Sequence, residues 1–135
     1  MPTFPQRYNP LAKGFSQSCG VEIEGLKQFV DMDVNELKKA GETLVSTLCI
    51  TCHGLGEHQP NAVFEGQGVN LLFLRFRMRG EHYMHWMLNP YRINQAIIIP
   101  KFADEEGRAG LIDLLDGDAR RQFGTVGHYL QVLSN

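Results

Sequence analysis

Cys49-Ile50-Thr51-Cys52-His53 is the stretch on which the reading of this chain turns. Two thiols three positions apart, followed at once by an imidazole, match the C-x-x-C-H pattern of covalent haem attachment. The spacing suits that chemistry because each thiol can form a thioether to one porphyrin vinyl group. The next residue's imidazole is then carried beneath the macrocycle, where a ring nitrogen binds iron. Cys49 and Cys52 are therefore the expected attachment residues, and His53 the expected iron ligand. Two other uses of Cys-x-x-Cys compete. A structural zinc takes four ligands, usually with a second paired set, and no second Cys-x-x-Cys or His-x-His follows. A thiol–disulfide pair belongs to a βαβ setting, whereas the flanks here have helical periodicity.

Working outward, Asp33 with Glu36 three residues on makes an N-terminal cap. Leu37, Gly41, Leu44, Val45 and Leu48 then fall on one helical face. Glycine inside a helix costs about 1 kcal/mol against alanine, so Gly41 is expected to have a packing reason. Gly54 lets the chain turn away from His53. Residues 55–80 read as loop, punctuated by Gly56, Pro60, Gly66 and Gly68, and then as a basic stretch with Arg75, Arg77 and Arg79. These arginines read as a solvated face, or as guanidinium partners for haem propionates.

A second helix is expected from Glu81 to Asn89, ending at Pro90. It carries His82, Tyr83, Met84, His85, Trp86 and Met87. A loop, Ala96 to Phe102, and a short apolar piece, Leu111–Leu115, lead to a last helix capped by Asp116 or Asp118. That helix is expected to bury Phe123, Val126, Leu130 and Leu133, with Tyr129 set against the notch at Gly41. His58 and His128 read as surface histidines.

A length of 135 residues suggests one domain, and 43% hydrophobic residues suffice for a core. With 21% charged residues and a net charge of −2, no global field points to nucleic acid or to an anionic membrane. No apolar run is long enough to span a bilayer. The opening Met1-Pro2-Thr3-Phe4-Pro5 lacks the basic-then-apolar pattern of a signal peptide. Haem of this kind is attached outside the bacterial cytoplasmic membrane, so the expectation is a mature chain or excised domain in the periplasm or an equivalent compartment. Residues 1–32, with Pro2, Pro5 and Pro10, read as an extended arm with one short turn at Leu26–Val30. Cys19, the third cysteine, lies in that arm.

Gly41 eight residues before Cys49, the C-x-x-C-H with Gly54 behind it, and a final helix bearing His128-Tyr129-Leu130 resemble a class I (monohaem) c-type cytochrome over roughly residues 33–134. Gly68-Val69-Asn70-Leu71, Trp86-Met87-Leu88-Asn89-Pro90 and Gly117-Asp118-Ala119-Arg120-Arg121-Gln122 are similar to small cytochrome c domains of planctomycetes, the phylum of the anaerobic ammonium oxidisers. The resemblance implies an all-α cytochrome c domain over 33–135, wrapped around one covalent haem c and preceded by the 1–32 extension. It places the proximal ligand on His53 and the thioethers on Cys49 and Cys52.

One position departs from the family. A methionine directly before Pro-x-Phe supplies the distal ligand there, but this chain has Ile99-Pro100-Lys101-Phe102, and isoleucine cannot bind iron. Three answers stay open. Cys19 binds as a thiolate delivered by the arm, which would favour ferric iron and a low potential. Alternatively the iron is five-coordinate behind Ile97, Ile98 or Ile99, open to diatomic gases. The last is a substitute ligand among Met84, Met87, His82 and His85. A competing use of Cys19 is a buried small side chain or an intermolecular disulfide. The expected function is low-potential electron transfer within a redox complex, with another small cytochrome as hetero- or homodimeric partner. The alternative is nitric oxide or carbon monoxide binding. No nucleophile or acid–base cluster can be assigned, so a redox carrier or gas binder is expected rather than a catalyst.

Overall fold

Asp33 starts the first helix by leaving the helical backbone region and accepting the Asn35 N–H at 2.8 Å, which satisfies one of the donors a helix start leaves over. The computed structural model of the chain describes residues 32–62 and 66–133. Cys19 and the turn expected at Leu26–Val30 lie outside the described residues. From Asp33, α1 runs Val34–Leu44 and turns Leu37, Ala40, Gly41 and Leu44 inward. It then widens into a single π-type turn, Val45–Cys49, in which the Ile50 N–H reaches back five residues to Val45 O at 3.0 Å. Such turns favour functional positions, and this one ends on Cys49.

The stretch read as loop beyond residue 70 is in part helical. Asn70 caps a 3₁₀ turn, Leu71–Phe73, that runs straight into the short α2, Leu74–Arg77. Leu71 is drawn into the core, and that tertiary contact organises a segment too short to show a helical period. α3 spans Gly80–Leu88 and stops before Pro90, as expected; a 3₁₀ turn over Pro90–Arg92 follows. After a long loop come a 3₁₀ turn, Leu115–Gly117, and α4, Ala119–Leu133. Asp118 accepts the Arg121 N–H at 2.7 Å at its start. Among the described residues only isolated bridges occur in place of strands, so this part of the chain is all-α.

α4 is the beam of the fold. On one side it packs on α1, where Leu37, Leu44, Val45, Leu71, Val126, Tyr129 and Leu130 form one core. Gly41 is required there: a Cβ on it would stand 2.6 Å from Tyr129 Cγ and closer still to Tyr129 Cβ. On the other side, Met84, Ala103, Ala109, Ala119 and Phe123 form a second core, with α3 packed on α4. Tyr83 is buried beneath Gly127 and donates its hydroxyl to Phe123 O at 2.8 Å. Leu133 departs from its expected buried place and is 44% exposed. Val132 beside it is exposed too, so the last turn of α4 runs past the core.

The loop before α4 is tied down by backbone bonds, Ala109 N–H to Gly117 O (2.8 Å) and Ala119 N–H to Gly107 O (2.9 Å). Gln122, fully buried, gives its amide N–H groups to Leu111 O and Leu114 O, both at 2.7 Å.

Candidate functional site

The segment Cys49–His53 closes as one helical turn beyond the π-turn. Cys49 O accepts the N–H of His53 at 2.9 Å and of Cys52 at 3.2 Å. That winding brings residues three apart to neighbouring places on one side, so both thiols belong to one edge of the turn. The carbonyls that follow are taken up by later chain. Ile50 O accepts Asn61 N–H (2.9 Å), Thr51 O accepts Ala62 N–H (2.8 Å), Cys52 O accepts Gly68 N–H (2.8 Å) and Gly54 O accepts Leu71 N–H (2.9 Å). The turn is thereby a stiff platform rather than a loop.

His53 Nδ1 lies 2.8 Å from Val69 O. A carbonyl only accepts, so Nδ1 carries a proton, and in the neutral ring the lone pair open to a metal is then on Nε2. Gly68 makes this approach possible: a Cβ there would lie 2.8 Å from His53 Cγ and nearer to Nδ1 and Cε1. Asn70 holds the surrounding loop by accepting the N–H groups of Gly56 and Leu72, each at 3.1 Å, and donating to Gly56 O at 2.6 Å. Gly54 is buried, and a Cβ on it would come within 3.1 Å of His58 O. Burial pushes the Cys49 thiol up to about 11. The Tyr83 phenol is pushed well above its ordinary range, first by burial and then by the charge of Cys49, so Tyr83 stands in electrostatic reach of the first thiol.

The other residues singled out are dispersed. Met84 is a core side chain, 2% exposed, and Met87 packs beside it. His82 and His85 are exposed, and the His82 ring sits 5.9 Å from that of Trp86. Ile97 and Ile99 are half-buried, whereas Ile98 is 60% exposed. Arg77 and Arg79 are exposed, and the Arg77 guanidinium lies over the Phe73 ring at 5.9 Å, which favours the solvated reading for these two. His58 is at the surface as expected. His128 is not: it is half-buried, and its Nε2 is fully covered without a hydrogen-bond partner among the described residues. α4 is packed from both sides, which leaves little free surface on it.

The sequence reading missed Val69 O, Gly68 and Asn70 as the supports of His53. An asparagine ahead of an apolar Leu-Leu-Phe run was a readable cap signal, but a backbone acceptor leaves no mark in a sequence. The donor set fits a covalently held haem: two thiols on one turn and an imidazole whose outer nitrogen alone is free. Among the described residues no three His, Cys, Asp or Glu side chains converge as ligands to one ion. Compared with protein-family models, with curated proteins and with solved structures, the chain matches none.

Proposed function

We propose that this chain is a monohaem c-type cytochrome that carries single electrons at low potential within a redox complex. The observation that carries this reading is the His53 Nδ1–Val69 O hydrogen bond on the very turn that bears Cys49 and Cys52. It fixes the tautomer that an iron-binding imidazole needs. Bound haem c would supply a one-electron ferric/ferrous couple. Cys49 and Cys52 would hold it by thioethers, and His53 Nε2 would be its protein ligand on one face. Asn70 and the latched carbonyls brace the backbone around that imidazole.

For the other face we propose Cys19, brought by the 1–32 arm as a thiolate. An anionic sulfur stabilises the higher charge state, which lowers the potential. The partner in this reading is another small cytochrome subunit outside the cytoplasm. The isoleucine at position 99 favours a second reading, in which nitric oxide or carbon monoxide occupies an open or displaceable sixth position. No helix among the described residues is long and apolar enough to cross a membrane.

The first test is the bis-pyridine spectrum of the denatured chain, which registers haem c only while both thioethers persist. Its absence would remove the proposal. Ferric optical and electron paramagnetic resonance spectra then separate the two readings. Low-spin thiolate character, lost in Cys19→Ser together with a rise in potential, supports His53/Cys19 ligation. A high-spin signal that Cys19→Ser leaves unchanged supports gas binding.

A further inference from the structure

Tyr83 has no part in the function proposed above, yet α4 is shaped to receive it. The residue is 1% exposed, and its hydroxyl donates to Phe123 O at 2.8 Å. One turn further along α4, Gly127 leaves room for the ring: a Cβ there would lie 3.0 Å from Tyr83 Cε1. A carbonyl and a glycine one turn apart thus seat the hydroxyl and the ring of a single side chain. Packing alone does not call for that hydroxyl. Phe123 O lies inside α4, where the N–H four residues on already serves it. A phenylalanine would fill the same space with no buried polar atom to satisfy.

What the hydroxyl adds is a fixed dipole. Its hydrogen is committed to Phe123 O, which leaves the oxygen, the negative end, to act on other groups. The first attachment residue is near enough to feel it. Cys49 packs against the core to which Val126 and Leu130 belong, and these stand on either side of Gly127 in α4. In keeping with that placement, the Tyr83 phenol is raised first by burial and then by a charge on Cys49, and such an influence is mutual. Shielded from water, the dipole is weakly screened. Burial also keeps the phenol neutral, so it is a permanent feature and not a switch.

We infer that Tyr83 sets the potential of the cofactor held at Cys49: its phenol oxygen, fixed by Phe123 O and seated on Gly127, favours the ferric over the ferrous state. This rests on the monohaem reading. The negative end of a nearby dipole stabilises the higher charge state of the metal, so the hydroxyl lowers the potential through space, without binding iron.

The test is the reduction potential of the haem-loaded full chain, by spectroelectrochemical titration, in wild type and Tyr83→Phe. This variant keeps the ring on Gly127 and loses only the hydroxyl. Its potential is expected to rise, while the ferric optical and electron paramagnetic resonance spectra keep the wild-type ligand character. Its unfolding constant, measured in urea, is expected to grow about two- to tenfold for the lost hydrogen bond. Tyr83→Leu, which also lacks the hydroxyl, should move the potential in the same direction. Ala109→Gly thins the core formed with Met84 and Phe123 and touches no polar group, so it should lower stability and leave the potential in place. The two ideas fail separately. A wild type without haem c in the bis-pyridine spectrum overturns the monohaem reading. Haem c with a potential unchanged or lowered in Tyr83→Phe, or raised as much in Ala109→Gly, overturns this inference alone.

Discussion

At the scale of single residues, the outcome rests on how closely the chain may approach His53. The hydrogen bond to Val69 O exists because position 68 has no side chain; any Cβ would enter the imidazole ring. Gly68→Ala is therefore expected to push His53 off its acceptor and to cost roughly 1–3 kcal/mol, the usual penalty of overpacking. Urea titration measures the stability, and on the proposed reading the ferric spectrum should gain high-spin character. An unchanged midpoint and spectrum would mean that the ring is not held from this side. Cys49, Cys52 and His53 were readable in the sequence because covalent chemistry demands fixed residue types at fixed spacing. Their support was not, since one partner is a carbonyl and the other a missing side chain.

At the scale of elements, the crossing of α1 and α4 depends on one notch. Gly41→Ala gains helix propensity of about 1 kcal/mol, yet its Cβ would stand 2.6 Å from Tyr129 Cγ, so a net loss of about 1–3 kcal/mol is expected. The contact reaches Tyr129 Cβ itself, so Tyr129→Ala should not rescue the variant. Gly110→Ala is the control, because nothing lies within 4 Å of a Cβ there, and thermal melting compares the three. Helix α1, the end of α3 at Pro90 and the Gly41–Tyr129 contact were all legible from period and punctuation. The Leu71–Arg77 helix was not, since seven residues carry too few turns to display a period. His128 and Leu133 were misjudged for a related reason: a helical period tells which residues share a face, but not how many neighbours surround the helix or where the last one ends.

At the scale of the molecule, cohesion is apolar. The ion pairs described, Lys101–Glu105 and Asp116–Arg121, each have one carboxylate side chain 87% exposed, and exposed pairs contribute little. Raising salt from about 0.05 to 0.5 M, which shortens the screening length several-fold, should shift the unfolding midpoint only slightly. A steep loss of stability with salt would mean that charges carry more of the fold than their exposure allows.

The stitches under the candidate site also set an order in time. The turn bearing both thiols is fastened by Asn61, Ala62, Gly68 and Leu71, all of which leave the synthesis machinery after it, because chains emerge from the N-terminus. Until they arrive, only the turn's own bonds, Ile50 N–H to Val45 O and His53 N–H to Cys49 O, hold the segment that bears Cys49 and Cys52. Once the stitches close, Cys49 is half-buried, and burial pushes its thiol up to about 11, away from the thiolate that forms a new bond at sulfur. On the proposed reading, the machinery that installs the cofactor therefore handles an unfinished chain, and folding is the step that seals its work.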